Sequence, residues 1–175
     1  MLKGEDIIVL LRLAQDSGTE PTVRSLETDL GIPRSVIHRS LGRLGEAGLI
    51  NSDSRRVNMS RAEELLVHGV KYIFPAVLGG ETRGIPTAWA ASPLAGRLAG
   101  SGNTPPVWPE PKGEVRGPAV KPLHVSVSRS TPKNPVLYED LALIDALRLG
   151  DQRVAGLASE LLRERLAGAA APAAS

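Results

Sequence analysis

The side chains with the clearest chemical potential are basic and hydroxyl groups gathered between positions 34 and 56. They can donate hydrogen bonds to the phosphates and base edges of nucleic acid, and they are Arg34, Ser35, His38, Arg39, Arg43, Arg55 and Arg56, with Thr22 a short distance before them. Arginine pairs well with guanine, and serine or histidine suits several bases. We therefore assign Ser35, His38 and Arg39 to base contacts, and the other residues to phosphate contacts.

The charge is unevenly distributed, although the formal net charge of the 175 residues is only +2. Residues 1–32 carry three basic and six acidic side chains, whereas residues 33–61 carry six arginines and two acidic residues, a net charge of +4. A concentrated positive charge of this kind favours contact with a phosphate backbone. The alternative is a solvated helix face with scattered arginines.

A short helix that ends in a tight turn is predicted just before these basic residues. Its apolar residues recur at helical spacing and are Val23, Leu26 and Leu30. Thr22 is suited to the N-cap. Gly31 follows directly, where the C-terminus of a helix favours a left-handed conformation.

A second helix is predicted over residues 33–47, and it would carry most of the candidate residues. Pro33 suits the opening of a helix because its missing N–H needs no partner there. The inward residues recur at i, i+4 and i+7 and are Ile37, Leu41 and Leu44. The basic and polar residues then lie on the opposite face.

A hairpin is predicted over residues 49–58, directly after this helix. Its short strands would be Leu49–Asn51 and Arg55–Asn58, joined by a polar turn. The hairpin would place Arg55 and Arg56 at or just past its tip. The alternative is a surface hairpin whose arginines have no role in binding DNA.

The pattern L-x-x-x-L-G-I-P-x-S-x-I-x-R-x-L-x-R-L-x-x-A-G-L-I over residues 26–50 resembles the winged-helix transcriptional regulators of bacteria, broadly of the MarR type. Pro33 stands where these families usually have Ser or Thr. The resemblance implies a winged helix-turn-helix domain over residues 1–78, with its recognition helix in the major groove and its wing on the backbone or minor groove. It implies a sequence-specific regulator that binds double-stranded DNA, most often a repressor, with autoregulation as an option.

Other patterns complete residues 1–78. An apolar helix over residues 4–16 would pack behind the helix pair. Ser60 and Glu63 form a capping box, which predicts a helix from Arg61 to about Val70. The apolar run Lys71–Leu78 is expected to be extended.

Residues 79–133 are expected to form an irregular connector rich in Gly and Pro, with one short helix and one strand. Ser92 and Pro93 would open the helix, and the alternation over residues 123–128 predicts an edge strand. Trp108 lies among prolines, and we expect it to dock on the winged domain. The run GGETRG lacks the Lys-Ser/Thr ending of a phosphate loop, so Arg83 is interpreted as exposed in a loop.

An αα-hairpin is predicted over residues 134–168, followed by a disordered tail over residues 169–175. Its wide apolar face includes Leu137, Leu141, Ile144, Leu147, Leu157 and Leu161. We expect this face to form a homodimer, because two recognition helices can bind the two halves of a palindromic DNA site. The alternatives are packing on its own domain and binding of a different protein. The expected fold class is thus mainly α with a small β wing.

Two segments carry a second, looser resemblance. R-G-x-P-T-A-W over residues 83–89 and Y-E-D-L-A-L-I-D-A-L-R-L-G over residues 138–150 are similar to parts of winged-helix proteins encoded on mobile elements and beside toxin genes. This implies an alternative function as an antitoxin or adaptor whose C-terminal half binds a partner protein. We expect Asp140, Asp145 and Arg148 to form a solvated helix flank, with a recognition site as the alternative.

The composition argues against several other classes of protein. The chain has no cysteine, which removes disulfides, thiolate metal sites and cysteine nucleophiles. The three histidines do not share metal-ligand spacing, and no nucleophile motif occurs, so we expect neither an enzyme nor a cofactor. We also expect no membrane segment and a cytoplasmic location with the bacterial nucleoid. A small-molecule pocket or a satellite core would use Ile73, Phe74, Trp89 and Trp108.

Overall fold

Three helices at the start of the chain pack on one another. The computed structural model describes residues 1–16, 18–98 and 104–171, and it places α1 at Gly4–Ala14, α2 at Val23–Leu30 and α3 at Arg34–Glu46. α1 contacts α2 and α3 on one side and two C-terminal helices on the other. Its residues Ile7, Ile8, Val9 and Leu10 are all fully buried. The predicted first helix is confirmed, and it is the central helix of the fold.

The turn between α2 and α3 follows the predicted chemistry. The Thr22 Oγ1 accepts a hydrogen bond of 3.0 Å from the Ser25 N–H and caps α2. Gly31 has φ of 64°, the left-handed conformation that glycine adopts without strain. Pro33 occupies the N-cap of α3, immediately before its first helical residue.

The hairpin after α3 has less strand structure than predicted. In place of the strands Leu49–Asn51 and Arg55–Asn58 there is one isolated bridge between Ile50 and Val57. The side chain of Asn51 accepts hydrogen bonds from the backbone N–H groups of Asp53 and Ser54. Arg55 has φ of 56°, which is incompatible with an extended strand. This turn geometry therefore limits the number of paired residues between the two arms of the hairpin.

A helical segment begins at Met59, two residues earlier than predicted. It comprises α4 (Met59–Glu63), a π-helical stretch (Glu64–Gly69) and α5 (Val70–Ile73). Asn58, rather than the predicted Ser60, accepts the capping hydrogen bond from the Arg61 N–H. The predicted extended run over Lys71–Leu78 is wrong at its start, because the segment stays helical to Ile73 and Val70 is fully buried. Phe74 leaves the helical conformation immediately before Pro75, as steric clash with a proline ring favours.

The segment predicted to be irregular contains a three-stranded antiparallel sheet. Its strands are β1 (Glu81–Pro86), β2 (Val107–Pro109) and β3 (Val115–Pro118), in the order β2-β1-β3. Gly84 pairs with Pro109 on one side and Val115 on the other. A Cβ at Gly84 would lie 2.0 Å from the Trp108 carbonyl oxygen, so the close strand approach requires glycine. After β3 the chain returns to β2, where the Val120 N–H bonds to the Val107 carbonyl at 2.8 Å.

Two other predictions for this segment are wrong. The helix expected to open at Ser92 and Pro93 is a 3₁₀ turn at Ala88–Ala90 followed by further turns, and the Ser92 hydroxyl bonds to Glu139 instead of capping a helix. The edge strand expected over residues 123–128 is a bend leading into α6 (Val127–Ser130). The imidazole of His124 accepts a hydrogen bond from the Ser126 N–H and stabilises that bend.

The predicted C-terminal αα-hairpin is confirmed as α7 (Pro135–Leu149) and α8 (Gln152–Ala170), following a 3₁₀ turn at Thr131–Lys133. Asn134 caps α7, and Gly150 has φ of 80° between the helices. α8 extends into the range expected to be a disordered tail, and residues 172–175 of that range lie outside the described residues. α7 packs on α1, α5 and α8, and its side chains belong to one hydrophobic core shared with residues 1–78.

The fold is mainly helical with one small antiparallel sheet. Among the helices of the described residues, none has the length and apolar character needed to cross a bilayer.

Candidate nucleic-acid interface

The outer face of α3 presents the residues that the sequence assigns to base contacts. Ser35, His38 and Arg39 are all exposed, as is Arg34 at the start of the helix. The inner face is fixed by Ile37 and Leu44, which are fully buried, together with Ser40. Because these buried residues set the rotation of the helix, the four polar side chains must face outwards.

Ser35, His38 and Arg39 have free side chains: within the described residues, none forms a hydrogen bond or an ion pair. An exposed arginine without a carboxylate keeps all its guanidinium donors for a ligand. The outer face of α3 therefore carries solvent-exposed polar side chains that have no partner within the described part of the protein.

Arg34 differs from its neighbours because it already has a partner. Its Nε lies 2.7 Å from Oε2 of Glu27 on α2, and both side chains are substantially exposed. The hydrogen bond from Arg34 lowers the pKa of the Glu27 carboxyl below its ordinary value. Water screens such an exposed pair, so a phosphate can compete for the guanidinium of Arg34.

Arg43 is not free for the phosphate contact that the sequence predicts. Its Nε and Nη2 form a two-pronged pair with the Asp6 carboxylate at 2.8 and 2.7 Å, and Nη2 lies 3.2 Å from the carboxylate of Glu5. Asp6 is fully buried and also accepts a hydrogen bond from the Lys3 N–H. The hydrogen bond to Asp6 raises the pKa of Arg43. Arg43 therefore fastens α3 to the start of α1.

The two arginines of the hairpin also have different environments. Arg55 is half-buried, and its Nη1 donates to the Pro21 carbonyl at 3.1 Å, next to the cap of α2. Arg56 is exposed, and its side chain is unpaired within the described residues. Arg55 thus joins the hairpin to α2, while Arg56 remains available. Thr22 is exposed and uses its oxygen to cap α2.

One exposed cation near this face was not selected from the sequence. Arg24 lies in the first turn of α2, two residues after the capping threonine, and it is exposed. The signal that could have identified it is its position at the N-terminus of a helix adjoining the basic face, where phosphate contacts are common.

Several acidic side chains of residues 1–32 are held in ion pairs. Arg12 donates to Asp29 through Nε and Nη2, at 3.1 and 2.8 Å, and also pairs with Asp16. Arg43 pairs with Asp6. The two arginine charges offset two of these three carboxylates, so the uneven distribution of charge between residues 1–32 and the basic residues of α3 and the hairpin remains.

A second polar cluster lies on α7, and it is buried. Asp145 is 2% exposed, and its carboxylate accepts hydrogen bonds from Thr87 Oγ1 at 2.7 Å, Trp108 Nε1 at 2.6 Å and Arg148 Nη1 at 2.6 Å. The expectation of a solvated flank is therefore wrong, because the sheet covers this side of α7. Burial raises the pKa of Asp145, and the hydrogen bonds and the charge of Arg148 oppose that rise.

Arg148 extends this cluster to two loops. Its Nε donates to the Phe74 carbonyl at 2.8 Å, and Nη1 and Nη2 donate to the Lys121 carbonyl at 3.2 Å. Trp108 docks on α7 rather than on residues 1–78 as expected, with its ring centroid 5.5 Å from that of Tyr138. The cluster thus fastens the sheet and the end of α5 to α7.

Asp140 is also buried, contrary to the expected solvated flank. It is 7% exposed and pairs with Arg165 of α8. Burial raises the pKa of its carboxyl, and the charge of Arg165 opposes the rise. This pair joins the two helices of the hairpin.

The leucine face of the hairpin is occupied by the chain itself. Leu137, Leu141, Ile144 and Leu147 are at most 2% exposed. Leu157 and Leu161 are half-buried and pack against the same core. The assignment of the four α7 residues to a dimer surface is therefore corrected, because α1, α5 and α8 surround α7. For Leu157 and Leu161 on α8, the assignment stays a prediction.

Other kinds of site have little support in the described residues. They contain no group of three or more His, Asp or Glu side chains placed to hold a metal ion. The residues that the sequence suggests for an aromatic pocket or satellite core do not all share one environment. Trp108 is buried on α7, whereas Ile73 is exposed. Comparison of the chain with protein-family models, with curated proteins and with solved structures gives no match.

Proposed function

We propose that the protein is a sequence-specific transcriptional regulator that binds double-stranded DNA through α3. One observation carries the proposal: the exposed face of α3 presents Ser35, His38 and Arg39 without internal partners, on a helix fixed by its buried face. Free arginine, serine and histidine side chains are suited to base edges in the major groove.

The arrangement of α2 and α3 supports this function. A helix-turn-helix lays its second helix in the groove, so that early residues of that helix contact bases while the first helix approaches the backbone. α3 begins immediately before Ser35, and α2 carries exposed Thr22 and Arg24 at its start. We assign the phosphate contacts of this side to Thr22, Arg24 and Arg34.

The hairpin over residues 49–58 takes the part of the wing in this proposal. Arg56 would contact phosphate or the minor groove, because it is exposed and unpaired within the described residues. Arg55 would keep the wing at a fixed distance from α2 through its bond to Pro21. In this proposal, Arg55 positions the wing and Arg56 contacts the DNA.

Repression is the simplest regulatory outcome, since a protein bound at a promoter excludes the polymerase. Autoregulation would follow if the site lies upstream of the protein's own coding sequence. We place the protein with the chromosome in a bacterial cytoplasm. The alternative of an antitoxin or adaptor has less support, because Asp140, Asp145 and Arg148, which offered a possible recognition site for its partner, are buried.

A fluorescence-anisotropy titration tests the proposal. The full chain is titrated against the DNA upstream of its own coding sequence and against a scrambled duplex of equal length, at 50 and 200 mM salt. We expect tighter binding to the upstream duplex and a salt-dependent affinity for both. Arg153→Ala, which removes an exposed cation on α8, serves as the control and should bind like the unmodified protein. Equal, weak binding to both duplexes would contradict autoregulatory recognition, and selection from a random duplex library would then decide whether any sequence is preferred.

A further inference from the structure

A short segment between the sheet and α7 carries basic residues and no acidic residue. It spans residues 121–134, and its basic members are Lys121, His124, Arg129 and Lys133. The proposed function uses none of them. The segment includes α6, however, and α6 packs on α2. It therefore brings positive charge from outside residues 1–78 to the helix-turn-helix.

Arg129 is the member of this segment that lies beside the turn between α2 and α3. A methyl group built on Gly31 would lie 3.9 Å from the Cβ of Arg129, which is ordinary van der Waals contact. Gly31 precedes Arg34, the first residue of α3, by three positions, so their Cα atoms are at most about 11 Å apart. Arg129 is thus close to the start of the helix that carries the candidate base contacts.

The side chain of Arg129 is available to a ligand. It is exposed, and within the described residues it forms no hydrogen bond or ion pair. The backbone beneath it is held, because Val127 and Ser130 are buried and the Arg129 N–H donates to the Ser126 carbonyl at 3.0 Å. A free guanidinium on an anchored backbone keeps all its donors for a phosphate.

Lys133, four residues further on, has a different environment. It is also exposed, but it lines a hollow together with Asp16 and Asp29. Arg12 pairs with both carboxylates and offsets only one of their two charges. The remaining negative charge opposes the approach of a phosphate to this position. The two cations of one segment therefore differ in what they can bind.

We infer that Arg129 contacts a DNA phosphate at the border of the major groove, next to the start of α3. The inference rests on the proposed function, which places α3 in that groove. The major groove is about 12 Å wide, so phosphates flank a helix that lies in it. A long basic side chain beside the turn before that helix faces one of these borders. Arg129 thus extends the DNA-binding surface beyond residues 1–78.

Anisotropy titrations at several salt concentrations test the contact on a random-sequence duplex, where no sequence preference is needed. Arg129→Ala should weaken binding about five- to tenfold at 100 mM salt and reduce the salt slope by about 0.9. Arg129→Lys retains the charge and should retain the slope. Lys133→Ala is the matched control from the same segment, and it should change the affinity less than twofold. Circular dichroism should be unchanged for all three variants, because both side chains are exposed.

Directed cleavage of DNA gives the location of the contact. The chain has no cysteine, so Arg129→Cys can carry an iron–EDTA group on a single thiol, where it cuts the sugars of nearby nucleotides. Arg153→Cys is the control. Arg153 lies at the start of α8, about 24 Å along the helix from Ala169, which lines a hollow with the two arginines of the hairpin. We expect several-fold more strand cleavage from position 129 than from position 153.

The outcomes separate this inference from the proposed function. If Arg129→Ala loses affinity and the unmodified chain shows no preference among duplexes, the contact is supported and sequence-specific regulation is contradicted. If the unmodified chain prefers one sequence but Arg129→Ala keeps its salt slope and position 129 cleaves no more than position 153, the contact is overturned and the proposed function stands. Equal losses for Arg129→Ala and Lys133→Ala would also overturn the assignment to Arg129. A chain that binds no duplex would overturn both proposals.

Discussion

The outer face of α3 and the buried cluster on α7 both use arginine, with opposite outcomes. Arg39 on α3 is exposed and has no internal partner within the described residues, whereas Arg148 on α7 is 7% exposed and donates to Asp145 and to two backbone carbonyls. Arg43 shows the same contrast within one helix, since it lies one turn from Arg39 and is paired with Asp6. Arg43 and Arg148 therefore join segments of the fold because each has a buried carboxylate as its partner, whereas the guanidinium of Arg39 stays free for a ligand.

The largest effect should come from removing the carboxylate of the α7 cluster. Asp145→Asn leaves the charge of Arg148 buried without compensation, and we expect it to lower the free energy of unfolding by about 3–5 kcal/mol. Urea denaturation followed by circular dichroism measures the loss. Glu160→Gln on the exposed side of α8 is the control, and it should stay within about 0.5 kcal/mol of the unmodified protein. A loss under 1 kcal/mol for Asp145→Asn would remove the architectural role of Arg148.

A smaller loss of stability should follow at the tie between α1 and α3. Asp6→Asn removes the charge that pairs with Arg43, and we expect a cost of about 2–3 kcal/mol because Asp6 is buried but Arg43 remains partly solvated. The double variant with Arg43→Met should cost less than the sum of the two single variants. Additive losses in urea denaturation would show that the two side chains do not act as a pair.

Arg39→Ala should instead impair DNA binding and leave stability unchanged. Loss of a base contact costs about 1–3 kcal/mol, so we expect roughly 5- to 150-fold weaker binding to the preferred duplex and a much smaller loss on random DNA. Anisotropy titrations on both duplexes measure the ratio, and thermal unfolding checks the fold. The assignment of Arg39 to a base would be wrong if the affinity for both duplexes fell by the same factor.

Two variants of the hairpin should show whether Arg56 contacts DNA while Arg55 positions the hairpin. They are Arg56→Ala and Arg55→Ala. Removal of one phosphate contact at Arg56 should weaken binding to all sequences equally and reduce the salt slope by about 0.9. Arg55→Ala should alter the salt slope less, because its guanidinium bonds to Pro21. The slope comes from titrations at several salt concentrations, and identical slopes for the two variants would contradict the distinction.

The smallest effect should come from Glu27→Gln, which releases Arg34 from its exposed ion pair. We expect binding to all duplexes to strengthen about two- to threefold, with a steeper salt dependence, because one more cation becomes available to phosphate. The double variant Glu27→Gln with Arg34→Ala should lose this gain. Weaker binding by Glu27→Gln alone would indicate that the ion pair positions Arg34 rather than restraining it.

The parts of the fold that the sequence predicts correctly depend on local signals. The cap at Thr22, the left-handed turn at Gly31 and the inward spacing of Ile37 and Leu44 all act within a few residues. They establish both helices and the face that α3 exposes. The same signals establish α7 and α8, with caps at Asn134 and Asp151.

The contacts that sequence analysis misses join distant segments. Arg43 is 37 residues from Asp6, and Thr87 is 58 residues from Asp145, so no spacing rule links them. Sequence analysis does not predict the strands because they are short and rich in Gly and Pro. The need for glycine at position 84 comes from the close approach of Trp108, which lies far away in the sequence. Periodicity reports which face of a helix is polar, but it cannot report whether another segment covers that face.

The return of the chain from β3 to β2 has a consequence for how easily the protein aggregates. Val107 on the outer strand β2 is bridged to Ala119 just after β3, so the two outer strands of the sheet are connected through the protein's own backbone. An open outer strand is a template on which another chain can add a strand and begin to aggregate. Here part of that template is already occupied, because the Val120 N–H bonds to the Val107 carbonyl, so less of the β2 edge is open to a strand from another chain.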